Sequence, residues 1–162
     1  MRPDASDTQP GDVERSRWTA VAISLKIPDN EAYTALVALQ RLGVAAERVE
    51  RAEIYLLDDG DDAETIRRRI VSDETIFNPN KHRVSMLDEA APRDGEIWIQ
   101  TLSHAARAMT SVAISWRLFD GDGVPVERAV LETAAERLLC NPAIERAVMR
   151  DLNDRDISAA YE

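Results

Sequence analysis

One short phrase is used twice in this chain, and it constrains the fold more than any other feature. An amphipathic segment stops on Asn-Pro and is followed by a brief extended run. The first copy spans 62–86 and breaks at Phe77-Asn78-Pro79; the second spans 125–149 and breaks at Cys140-Asn141-Pro142. The Asn-Pro pairs lie 63 positions apart, and the same step sets Glu64 against Glu127, Ile76 against Leu139 and Met86 against Met149. A step of 62 sets Leu56-Leu57-Asp58 against Leu118-Phe119-Asp120. The pattern reads as an internal duplication of strand, helix, Asn-Pro stop and strand. Two copies are too few for a solenoid and suit a pseudo-symmetric domain. Proline disfavours helix at the residue before it and cannot donate to the preceding turn, so Asn-Pro is a helix stop.

The first half opens with Val21, Ile23 and Leu25 alternating with Ala20, Ala22 and Ser24, a strand period with small residues on one side. Pro28-Asp29-Asn30 ends it, with Asn30 placed as N-cap of a helix carrying Ala32, Leu36 and Leu39. Gly43 then takes the left-handed position after the helix. Ile54–Leu57 reads as a strand. The next helix sets Ala63, Ile66, Ile70 and Phe77 in one row, with Arg67, Arg68 and Arg69 turned the other way. Arg83–Leu87 is a short strand.

Asp88–Gly95, with Pro92, is the loop-like joint between halves. Residues 96–109 carry both signals: Ile97, Trp98 and Ile99 suit a strand, whereas Trp98, Leu102, Ala105 and Met109 suit a helix capped by Asp94. The duplication favours helix. A strand over 110–119 follows, then a helix with Pro125 in its first turn and Val126, Val130, Ala134 and Leu138 as its buried row. Short links and helices that each need one buried face predict an α+β fold, an antiparallel sheet with helices on one face. The division is a disordered tail over 1–17, repeats over 18–88 and 94–150, and a polar tail over 151–162.

Apolar residues make up 44% of the chain and aromatics 5%, so the expected core is aliphatic. A net charge of −10 with unsegregated basic residues disfavours a nucleic-acid partner. No apolar run is long enough for a membrane span, and the opening residues lack the basic-then-apolar order of a signal peptide, so the expected location is cytoplasmic. The single cysteine, Cys140, excludes an internal disulfide and supplies no zinc set; it reads as a buried thiol.

Searched for chemistry, the chain offers little. It has no glycine-rich phosphate loop. The acidic turns at Asp58 and Asp120 lack the glycine that a calcium loop needs, and they read as solvated turns. His82 and His104 are the only histidines and form no metal set. No catalytic, cofactor-binding or metal residue is assigned. The candidate partner contacts are Arg67, Arg68 and Arg69, a run able to grip a phosphate or an acidic surface, and the Lys81-His82-Arg83 trio. Trp18, Trp98 and Trp116 are candidate interface anchors, with Trp116 assigned to the core.

The layout resembles the PurS family, the small subunit of phosphoribosylformylglycinamidine synthase in purine biosynthesis. The likeness rests on Ser24-Leu25-Lys26, Leu39-Gln40-Arg41-Leu42-Gly43-Val44, Val49-Glu50-Arg51 and above all the eleven residues from Ala135 to Glu145. Those eleven are similar to a family phrase running into Leu-Leu-Ala-Asn-Pro-Val-Ile-Glu. The first copy departs from it, reading Asn78-Pro79-Asn80-Lys81-His82-Arg83. PurS chains are about half as long and pair as dimers, so two copies here resemble a fused pair, or the PurS-like region of the large single-chain synthases. The resemblance implies a non-catalytic subunit that bridges glutaminase (PurQ-like) and synthetase (PurL-like) partners. The complex, not this chain, would use ATP, magnesium and glutamine. Homodimerisation is a further expectation. A small-molecule-binding regulatory α+β module, and an enzyme using His82 with Lys81 and Arg83, are the alternatives.

Overall fold

A computed structural model describes residues 18–58, 61–102 and 111–150. In chain order its elements are β1 (Trp18–Leu25), α1 (Asn30–Arg41), β2 (Arg48–Asp58), α2 (Ala63–Ser72), β3 (His82–Met86), β4 (Glu96–Thr101), β5 (Ser111–Phe119), α3 (Arg128–Ala134) and β6 (Glu145–Met149). A π-helical turn, Ala135–Leu139, continues α3 without a break. The fold is α+β: one open sheet of six antiparallel strands in the order β3-β1-β2-β5-β4-β6, with three helices among the described residues. Each outer trio has its earliest strand in the middle and its last strand at the edge.

Strand alternation separates two faces. One carries Val21, Ile23, Ile97, Ile99 and Leu118, and all three helices pack there. Ile66 and Ile70 of α2 meet Val21, Ile23, Tyr55 and Leu57. Leu39 of α1 joins Leu131, Ala134 and Ala135 over Ile97, Ile99 and Leu118. The other face carries Ala20, Ala22, Ile54, Leu56, Trp98 and Ala113. Among the described residues no helix covers it; the connection after β3 crosses part of it, bringing Leu87 and Ala90 against that cluster.

Several local expectations shift. Residues 96–101 form β4, not a helix. Glu96 through Gln100 are all buried, and both sides of the strand are covered by other residues, so its near-continuous apolar run is that of a central strand. The rest of the expected helix, with Ala105, Met109 and His104, lies outside the described residues, as do the tails 1–17 and 151–162. Asp29, not Asn30, caps α1, its carboxylate accepting from Glu31 and Ala32 N–H at 2.9 and 3.1 Å. Pro125 precedes its helix: it bridges Phe119 in a hairpin-like turn, and α3 starts after Glu127. Leu138, expected in the buried row, is exposed, because the wider π turn rotates the helix end so that Leu131, Ala134 and Ala135 face inward. α2 ends at Ser72, five residues short of Phe77, which is nonetheless buried.

Candidate functional site

The two Asn-Pro segments form the same turn. In the first, the Asn78 side-chain carbonyl accepts from Asn80 N–H at 2.9 Å, and its backbone carbonyl accepts from Lys81 and His82 at 3.0 and 2.8 Å. In the second, the Asn141 side chain accepts from Ala143 N–H at 3.1 Å, and its carbonyl from Ile144 and Glu145 at 3.1 and 2.8 Å. The residue four positions on then closes each turn. His82 Nδ1 accepts from Asn78 N–H at 2.9 Å, and Glu145 Oε2 accepts from Asn141 N–H at 2.8 Å. Asparagine suits this position because its short side chain mimics the next turn of backbone.

Both turns deliver a five-residue strand to an edge of the sheet. β3 pairs with β1, setting Val21 opposite Met86; β6 pairs with β4, setting Ile97 opposite Met149. The inner pairs then set Val21 opposite Tyr55 and Ile97 opposite Trp116. Tyr55 and Trp116 thus hold corresponding positions, a step of 61. The step of 62 expected for Leu56 and Leu118 is corrected: it would match residues on opposite faces, since Leu118 joins the helix-covered core and Leu56 the other one.

In the gap between β1 and β2 lies a basin of about 460 Å³, lined by Ala32, Tyr33 and Leu36 of α1 on one side of the sheet and by Ala22, Ser24 and Ala52 on the other. It forms because β1 pairs with β2 only from Glu53 onward, leaving Arg48–Ala52 with a strand on the β5 side alone. Ala22, Ser24 and Ala52 give it a floor of small side chains, and arginines 83, 93 and 117 stand around it. At its edge Glu96 is fully buried. Arg93 binds that carboxylate through its backbone N–H at 2.7 Å and its guanidinium at 2.9 and 3.1 Å, and the Ser115 hydroxyl also donates to it. Burial pushes the Glu96 carboxyl up, but the hydrogen bonds from Arg93 and Ser115 outweigh it and hold the group below the ordinary glutamate value. The cluster anchors the 87–95 connection, where the carbonyl of Gly95 (φ +71°) accepts from Leu118 N–H at 2.8 Å.

The residues picked from sequence do not converge. Arg67, Arg68 and Arg69 are exposed along α2; Arg68 pairs with Glu64 at 3.4 Å and Arg69 with Asp61. The Lys81-His82-Arg83 trio is split by strand alternation. His82 sits half-buried with its ring 6.0 Å from Phe77, while Arg83 lines the basin. Trp18 is exposed at the start of β1, Trp98 is fully buried, and Trp116 packs against the helix-side core. Cys140 is a half-buried free thiol, and burial raises its pKa. Among the described residues no cluster of three or more metal-ligating side chains occurs, and no helix is long and apolar enough to cross a membrane.

Sequence reading missed Arg93, Glu96, Ser115 and Arg117. The signal was present in β5, where Ser115 and Arg117 alternate with Trp116 and Leu118, but the residues facing them come from strands distant in sequence. Compared with family models, curated proteins and solved structures, the chain finds no match.

Proposed function

We propose that this chain is a tandem PurS-like docking subunit that brings a glutaminase and an ATP-using synthetase together in phosphoribosylformylglycinamidine synthesis. The observation that carries the reading is the pair of Asn-Pro turns. They share one hydrogen-bond skeleton, and they launch β3 and β6 to opposite edges of a sheet whose strand order runs the same way from either edge. On this reading residues 18–88 and 94–150 are the two copies, and the β2–β5 pairing joins them into one sheet inside one chain. The family resemblance supplies the biochemical role. The candidate contacts are the exposed Arg67–Arg69 face and the two sheet edges; ATP, magnesium and glutamine belong to the partners. The role expected in a cytoplasmic complex is presentation of surfaces, and a second copy of the chain is a further candidate partner.

Affinity capture of the tagged full chain from its source cell, with glutamine, ATP and magnesium present, is expected to recover both enzyme subunits. Recovery of neither overturns the reading.

A further inference from the structure

We propose that the basin in the gap between β1 and β2 is a binding site for a small organic anion bearing more than one acidic group, with Arg83 and Arg117 as its gripping residues. Five arginines line the basin against three carboxylates, a local reversal of sign in a chain of net charge −10.

Three of the five arginines are already committed. Arg48 pairs with Glu50, Arg51 with Glu31 at 3.0 Å, and Arg93 with the buried Glu96. Arg83 has no acidic partner among the described residues. Arg117 donates its Nε to the Asp94 carbonyl at 3.0 Å and lies over the Phe119 ring, so its guanidinium has no carboxylate partner among them either. On the α1 side of the basin the Arg51 Nε is buried with no hydrogen-bond partner among the described residues. A basin this size falls within the ordinary range for small-molecule sites, roughly 300–1,000 Å³.

The register fixes the spacing. Arg83 on β3 stands opposite Ser24 on β1, and Arg117 on β5 stands opposite Glu50 on β2. β3 and β5 are three strand steps apart, about 14 Å. Two guanidinium groups without a carboxylate partner among the described residues therefore flank a floor of small side chains, with the Ser24 and Ser85 side chains between them and beside Arg83. Guanidinium forks match carboxylate and phosphate oxygens two at a time, so both anion types share the required chemistry. A ligand with acidic groups at two ends meets both forks at once, which a single small ion does not. This inference is independent of the docking reading, since neither enzyme partner is needed for it.

Calorimetric titration of the full chain at low salt, with citrate, pyrophosphate and neutral glucose, tests it. The expected result is saturable binding of citrate, pyrophosphate or both, and none of glucose. Citrate alone marks a carboxylate ligand, and pyrophosphate alone a phosphorylated one. Arg83→Gln and Arg117→Gln should each weaken binding about tenfold, with Arg68→Gln on the far face leaving it unchanged. Amide chemical shifts of Ser24, Ser85 and Ser115 in the unmodified chain should move with the same ligand, a readout that survives if a variant misfolds. No binding of either anion up to about 10 mM, equal weakening by Arg68→Gln, or shifts confined to α2 would overturn it.

Discussion

The two outer trios of the sheet reach the same end by different routes. From the start of α2 to Asn78 the chain takes a ten-residue helix, then a separate turn in which the Asp73 carboxylate accepts from Thr75 N–H at 3.0 Å. From the start of α3 to Asn141 it takes one unbroken helix that widens into a π turn. α2 buries Ile66 and Ile70, whereas α3 buries Leu131, Ala134 and Ala135. In numbering, Ile66 and Leu131 lie 65 apart, while the Asn-Pro turns keep a step of 63 and the strands Tyr55 and Trp116 a step of 61. The difference teaches which parts of such a unit are held tightly. Strand register and the Asn-Pro turn are fixed by backbone hydrogen bonds that admit no half-step. The helix between them slides and rewinds to fit what it covers. A π turn absorbs an extra residue without breaking the helix, and here it lays Leu139 against the core shared with α1.

The strongest test of this contrast is whether the two helix-covered cores fail together. Ile66 is fully buried and Leu131 nearly so. Ile66→Ala and Leu131→Ala should each cost about 2–4 kcal/mol of unfolding free energy. Because β2 and β5 join the two trios in one sheet, urea denaturation followed by both fluorescence and circular dichroism should keep a single transition in each variant. Two separated transitions would break the picture of one cooperative body.

The next largest effect belongs to the helix-free face. Removing the Glu96 charge with Glu96→Gln should destabilise the protein by about 2–3 kcal/mol at neutral pH, through the loss of charge-assisted hydrogen bonds. The sign of the pH dependence follows from the lowered carboxyl pKa. The stabilisation is fully present above the unfolded-state value of about 4.3 and is lost as pH falls through the lower folded-state value. Denaturation curves should therefore show the wild type losing its advantage over Glu96→Gln as pH falls below about 4. A constant gap between pH 7 and pH 3 would mean that the carboxylate is not stabilised as described.

Glycine positions sharpen the comparison further. A Cβ on Gly95 would meet the Pro125 Cβ at 2.7 Å and the Leu118 carbonyl at 2.9 Å, in a backbone at φ +71°. Gly43, at φ +82°, would meet only the Arg137 guanidinium at 4.0 Å. Gly95→Ala should cost about 2 kcal/mol or more, and Gly43→Ala about 1 kcal/mol, the left-handed penalty alone. Equal thermal midpoints for the two variants would show that the 87–95 connection has room to move.

How much of this was legible in the sequence depended on whether the signal was local. The Asn141-Pro142 stop, the alternation of Val21 and Ile23, the Ile66–Ile70 row and the glycine at position 43 are each set by neighbours within one turn or strand, and each is found where the residues place it, whereas α2 ends at Ser72, ahead of the Asn78-Pro79 stop expected for it. Residues 96–101 misled because Trp98 falls on both a strand period and a helix period, and because reasoning by repetition imposed a helix where the sheet needs a strand. The end of α3 misled for a related reason: a π turn changes the residues-per-turn count, so a strict helical row points Leu138 the wrong way. The basin was invisible because Arg83, Ser24, Arg93 and Arg117 meet only through the strand order, which periodicity does not encode.

The smallest effects test the turns themselves. Asn78→Ala and Asn141→Ala each remove one side-chain acceptor and should cost about 1 kcal/mol, alike in both trios. The closing residues should differ. His82 takes a part-buried N–H and also packs its ring against Phe77, so His82→Ala leaves a donor unsatisfied and costs about 1–2 kcal/mol. Glu145 closes an exposed turn where water replaces it, so Glu145→Ala should change stability by less than about 0.5 kcal/mol. His82→Gln restores an acceptor without the ring and should fall between wild type and His82→Ala. If Glu145→Ala proves the costlier of the two, the second turn is held by its side chain and not by the backbone pattern shared with the first. The equivalence of the two turns would then be one of shape alone.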